Sequence, residues 1–197
     1  MEIDYKKISR MTNMELLEYL DHINENDLQD VLEFVLFNLE SKRIKRKVDK
    51  NTFNFISNIF CNKKIIKNRG FLSWVIDFEN SSLDFSEIKI ANRIKLVKEI
   101  ISLSKFYEAS VVCEIGRFIV RCLLINKIER LEYINFIKKN LFFLKNDQNS
   151  LNLVYFSLLD YQDSMELTVY EKKNIIYFLK QVSQLFPPSV GMSPRVC

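Results

Sequence analysis

Apolar residues in this chain recur three and four positions apart almost from end to end, and that periodicity constrains the fold more than any other feature. Leu28, Val31, Leu32, Val35, Leu36 and Leu39 fall on one stripe of a helix, the pattern of a segment that buries one side. Leu16, Leu17, Leu20 and Ile23 make a second stripe. It follows Thr12-Asn13-Met14-Glu15, a capping-box pattern in which the hydroxyl and the carboxylate satisfy backbone N–H groups reciprocally. Breakers are scarce: there are three glycines, and the three prolines (Pro187, Pro188 and Pro194) all lie in the last eleven residues. A proline would interrupt a helix interior, so its absence from the first 186 positions leaves long helices unbroken.

The same spacing predicts helices over 12–23, 27–41, 51–66, 86–106, 108–125, 127–145, 149–162 and 168–186. Phe55, Ile56, Ile59 and Phe60 mark the core side of the third. Ile90, Ile94, Val97 and Ile101 mark that of 86–106, whose start is read from Asp84 and Glu87. Asn68-Arg69-Gly70 is a stop signal, 71–78 reads as a short helix, and Asn80-Ser81-Ser82 as a loop. The expectation is an all-α protein of about nine helices and no sheet. Short links favour antiparallel helical hairpins of about 35–40 residues, the spacing of HEAT-like or armadillo-type pairs. No signature repeats between pairs, so an α-solenoid-like array and an irregular helical bundle both remain open. Residues 1–186 are expected to form one domain and 187–197 a flexible tail.

Charge carries the main functional signal. The first 41 residues hold ten acids and three bases, a net of −7, whereas 42–69 hold ten bases and one acid, a net of +9. The whole chain is only +4, and its lysines come with 22 Ile and 18 Asn against two Ala, the mark of AT-rich codons. The basic pI of 8.8 is therefore weak evidence for a polyanion partner. Three readings fit the polarity. Acids can simply solvate the outer faces of the first two helices, with bases compensating a helix C-terminus. The run of Lys42, Arg43, Lys45, Arg46 and Lys47 can track phosphates. Or Glu15, Glu18, Asp21, Glu25, Asp27, Asp30 and Glu33 can steer a basic protein.

Little points to catalysis. The single histidine, His22, lacks a nucleophile and an orienting group, and reads as solvated. Cys61, Cys113, Cys122 and Cys197 form no C-x-x-C pair. The first three are expected as buried thiols of a reducing cytosol, with Cys113 and Cys122 on opposite faces of one helix. Asp160, Asp163 and Glu166 lack a calcium-loop context, so no metal and no cofactor are expected. Trp74, Tyr133, Tyr155, Tyr161, Tyr170 and Tyr177 sit where a core or its rim would use them. Glu114, Arg117 and Arg121 share one helix face, and read as a pair sealing a helix interface or as residues lining a groove. No apolar run spans a bilayer and the N-terminus has no apolar leader, so the location expected is cytoplasmic.

Together these features predict a non-catalytic, cytosolic protein-binding protein, at its most specific a bacterial immunity-type protein that neutralises a toxin domain. Its contacts would use the acidic face, with Arg117 and Arg121 in the groove of a modestly elongated particle. The alternative is a nucleic-acid-associated or regulatory helical protein using the basic segment 42–69.

Overall fold

In a computed structural model the chain is described at residues 3–41, 46–67, 71, 75, 83–144, 146–162 and 167–185. Among these are nine helices: α1 Tyr5–Ile8, α2 Asn13–His22, α3 Glu25–Ser41, α4 Lys50–Cys61, α5 Ile90–Leu103, α6 Ala109–Phe118, α7 Lys127–Leu144, α8 Gln148–Gln162 and α9 Val169–Ser183. The fold is an all-α helical bundle, as the periodicity predicts. The nine are not quite the nine expected. The one-turn α1, held by the Asp4 carboxylate accepting from the Lys7 N–H at 2.9 Å, has no counterpart in the sequence reading. Of 71–78, Phe71 and Val75 are helical and buried, and the rest lies outside the described residues. So do Asn68-Arg69-Gly70, Asn80-Ser81-Ser82, Trp74, Asp163, Glu166 and the tail.

Local chemistry sets the best-read boundaries. Thr12 and Glu15 close the expected capping box on α2, and Thr168 and Glu171 close another on α9. Asp49 starts α4 by accepting from the Thr52 N–H at 2.7 Å. The helix expected over 51–66 is shorter, because Asn62 turns its side-chain oxygen to the N–H groups of Lys64 and Ile65. These residues lead into a separate 3-10 turn at Ile65–Lys67. Asp84 does not start a helix either: its carboxylate accepts from Ser86 N–H two residues on, a local turn, while Phe85 and Ile88 bury. Helix α5 therefore begins at Ile90 behind Lys89, with no side-chain cap. Its buried side is Arg93, Leu96, Val97, Ile100 and Ile101, leaving Ile90 exposed and Ile94 half-buried. The one non-helical pairing among the described residues is a two-residue parallel ladder, Arg46–Lys47 beside Leu83–Asp84.

Packing centres on α6. An aromatic seam joins it to α4 and to the chain before α5: Phe60 stacks on Phe118 at 4.7 Å, and Phe85 meets Phe118 edge-on. On its other side α6 runs against α8, the most extensive helix pair, and α8 in turn packs on α9. Gly116 permits the α6–α8 approach; a Cβ there would lie 3.0 Å from Leu153 O and 3.0 Å from Ser157 N. The helix expected over 108–125 is not uniform. After Phe118 it widens into a π turn at Ile119–Leu123, and the Leu124 N–H reaches back to Ile119 O at 2.9 Å. Of the three cysteines expected as buried thiols, Cys113 and Cys122 are buried and Cys61 is half-buried.

Candidate functional site

The acidic residues of α2 and α3 remain on the surface. Glu15, Glu18, Asp21, Asp30 and Glu33 are exposed and Asp27 is half-buried; the side chain of Glu25 lies outside the described residues. Three have local tasks, of which the least is Glu33, which accepts from the Gln29 amide one turn before it at 3.1 Å. The hydrogen bonds from Thr12 hold the Glu15 carboxyl below its ordinary range, and Asp21 accepts from the Asn62 amide. None of the six described acids is ion-paired with a base among the described residues. His22 is exposed, with Nδ1 2.7 Å from the Glu18 carbonyl oxygen, the contact of a solvated residue at a helix end.

The basic segment behaves differently. Lys42, Arg43 and Lys45 lie outside the described residues, as does the side chain of Arg46. Lys47 is paired with Glu87 at 2.7 Å, which holds its ammonium above the ordinary range. Lys64 donates to Leu20 O, Asp21 O and Ile23 O, so its charge closes the C-terminal end of α2. Lys63 and Lys67 remain exposed and, with Lys105, gather round the ring of Phe106.

The polar line on α6 is turned to packing. Arg117 pairs with Glu114 at 3.1 Å, while Arg121, in the π turn, forks onto Asp160 of α8 at 2.6 Å. Asp160 thus ties the π turn to α8. Tyr133 and Tyr161 are buried and Tyr155 is half-buried, as expected of a core and its rim. Tyr170 and Tyr177 are not: they stand 74% and 65% exposed on the outer side of α9, beside Val169. Helix α9 needs only Ile175, Phe178, Leu179 and Val182 to cover its neighbour, so the opposite side faces solvent.

The most heavily bonded polar group was invisible in the sequence. Arg93 on α5, 5% exposed, forks onto Glu129 of α7, 1% exposed, with both N–O distances 2.6 Å. Arg93 also donates to Ile88 O and Leu123 O, and Glu129 accepts from the Ile125 and Asn126 N–H groups and the Asn126 amide. Burial alone would raise the Glu129 carboxyl; the Arg93 guanidinium and the N–H donors outweigh it and hold it below its ordinary range. The pair ties the chain before α5, at Ile88, to the end of the π turn, at Leu123, and to the start of α7. A cleft of about 80 Å³ opens between the same two helices, lined by Ile94, Val97, Lys98, Glu132, Tyr133 and Phe136. It is too small for a substrate of ordinary size.

Among the described residues no three His, Cys, Asp or Glu side chains converge as a metal would require, and no helix is long and apolar enough to cross a membrane. Compared with known proteins, the chain matches no family, no curated protein and no solved structure.

Proposed function

We propose that this is a non-catalytic, cytoplasmic protein-binding protein whose acidic α2–α3 surface receives a basic partner. One observation carries the reading: Glu15, Glu18, Asp21, Asp30 and Glu33 are exposed, and none of their carboxylates is ion-paired with a base among the described residues. An uncompensated surface of one sign raises the encounter rate with an oppositely charged protein and orients it. The most specific form of the reading is a bacterial immunity-type protein, in which a small helical domain caps a basic toxin domain. Arg117 and Arg121 contribute less to this surface, since each already has a carboxylate in hand.

The test begins with recovery of the chain from its native host and identification of any stoichiometric partner. The expected partner is basic, and Glu18→Lys, Asp30→Lys and Glu33→Lys together slow association about tenfold or more at low salt. Arg121→Glu, with folding unchanged, leaves partner affinity unchanged. A chain recovered alone, in cells whose resistance to sibling toxins does not depend on it, ends the immunity reading.

A further inference from the structure

Three lysines from two stretches of the chain converge on one ring. Lys63 lies in the turn after α4, Lys67 ends the 3-10 turn Ile65–Lys67, and Lys105 lies within the 3-10 turn Ser104–Phe106. Their ammonium nitrogens stand 4.6, 5.8 and 5.1 Å from the centroid of Phe106. No two of them can then be more than about 11 Å apart. All three lysines are exposed and the ring is half-buried.

Among the described residues no carboxylate pairs with any of the three. Two acids in the same region are engaged elsewhere: Asp21 accepts from Asn62, and Glu99 faces Lys95 and the Cys61 thiol. Three like charges therefore share one weak attractor, the π face of Phe106, and repel one another across it. An incoming polyanion relieves that repulsion and frees the ring.

We propose that Lys63, Lys67, Lys105 and Phe106 form a binding site for single-stranded nucleic acid, with the ammonium groups on successive phosphates and one base stacked on Phe106. The span of the three charges suits neighbouring phosphates of a strand, spaced roughly 3.4 Å in rise when its bases are stacked. The ring adds the sequence-tolerant platform such sites use. An acidic or phosphorylated peptide would engage the lysines and leave the ring without a role. The site is distinct from the run at Lys42–Lys47 and does not depend on the protein-binding reading.

Fluorescence anisotropy with a labelled oligodeoxythymidine of about 20 nucleotides, titrated from about 50 mM salt upward, tests it. The expected result is binding whose log affinity falls against log salt with a slope of about −2, as three single-strand phosphate contacts give. Lys63→Gln, Lys67→Gln and Lys105→Gln together, all at exposed positions, flatten that slope towards zero and weaken binding at least tenfold. Phe106→Leu keeps the slope and weakens binding roughly five- to hundredfold, while Phe106→Tyr stays within about twofold. Absence of binding, equal binding to a duplex or a phosphoserine peptide, or full affinity in the triple-lysine variant overturns the proposal. So does full affinity in a folded Phe106→Leu protein. The lysine variant decides alone should Phe106→Leu unfold the chain.

Discussion

Gly116→Ala tests the packing on which the bundle is organised. In an ordinary helix position this change helps, since Gly is about 1 kcal/mol worse than Ala. Here the added methyl would sit 3.0 Å from Leu153 O, 3.0 Å from Ser157 N and 3.2 Å from Phe156 Cβ. Two of these atoms are α8 backbone and cannot rotate away, so α6 and α8 must part by about 0.4 Å to restore ordinary contact. Overpacking of that kind costs roughly 1–3 kcal/mol, and the propensity gain offsets only part of it. The middle of that range less the propensity gain leaves an expected net loss of about 1 kcal/mol. For a chain of this size that is a fall in Tm of roughly 2–4 °C. Thermal melts followed by far-UV circular dichroism read it, and urea titration should show a lower midpoint with an unchanged slope. Gly116→Ser should fall at least as far. A Tm equal to or above wild type in Gly116→Ala would show that the helices yield freely there, and the close crossing would lose its claim to organise the fold.

Other perturbations follow from the polar contacts. Glu129→Gln leaves the Arg93 charge buried without its counter-ion and should cost about 3–5 kcal/mol in urea unfolding; Arg93→Met with Glu129→Leu should lie much nearer wild type. Lys127 and Thr168 hold the Glu171 carboxyl at about 2, against an ordinary value of 4.5. A depressed carboxylate stabilises above its unfolded pKa and loses that as pH falls through the folded one, so stability should drop between about pH 4.5 and 2. Lys127→Ala should move the drop to higher pH, and a melt at pH 2.5 matching that at pH 6 would contradict the assignment. Burial first, then the charge of Glu99, pushes the Cys61 thiol up to about 12, so iodoacetamide at about pH 8 should label it far more slowly in the native protein than in urea. Equal rates would refute that.

Helices α2, α3 and α9 are readable in sequence because their signals are local: a stripe and a capping box need only a dozen neighbouring residues. Thr12 and Thr168 behave as their type predicts. Asp84 has the same capping chemistry yet closes a turn, because Phe85 and Ile88 must reach the core before a helix can begin. The core side of α5 departs from its apolar stripe for a related reason. Ile90 and Ile94 look like the stripe, but the position facing inward is Arg93, and only Glu129, far along the chain, makes its burial tolerable. The π turn carries no local signal; it follows from aligning Cys122 and Leu123 with a core that α6 has already met. Sequence periodicity therefore conveys which segments are helical, and tertiary partners decide where each begins and which polar residue goes inside.

Charge obeys the same division. A count along the sequence treats every base in 42–69 as equivalent, yet folding assigns them unlike tasks. Lys64 closes the end of α2 on three carbonyls and Lys47 answers Glu87, so neither charge is available to a polyanion without a structural cost. Lys63 and Lys67 are exposed, and Lys105 and Phe106, from beyond α5, are brought beside them. No window of the sequence contains that group. The acids of α2 and α3 show the converse: their outward stripe is the back of an apolar one, so the periodicity that fixes the helices also fixes their exposure. Reversing Glu18, Asp30 and Glu33 should therefore leave stability nearly unchanged while altering encounter rates. The lysine ring and the acidic face can thus be perturbed separately, and a partner lost by one set of variants and retained by the other identifies the surface it uses.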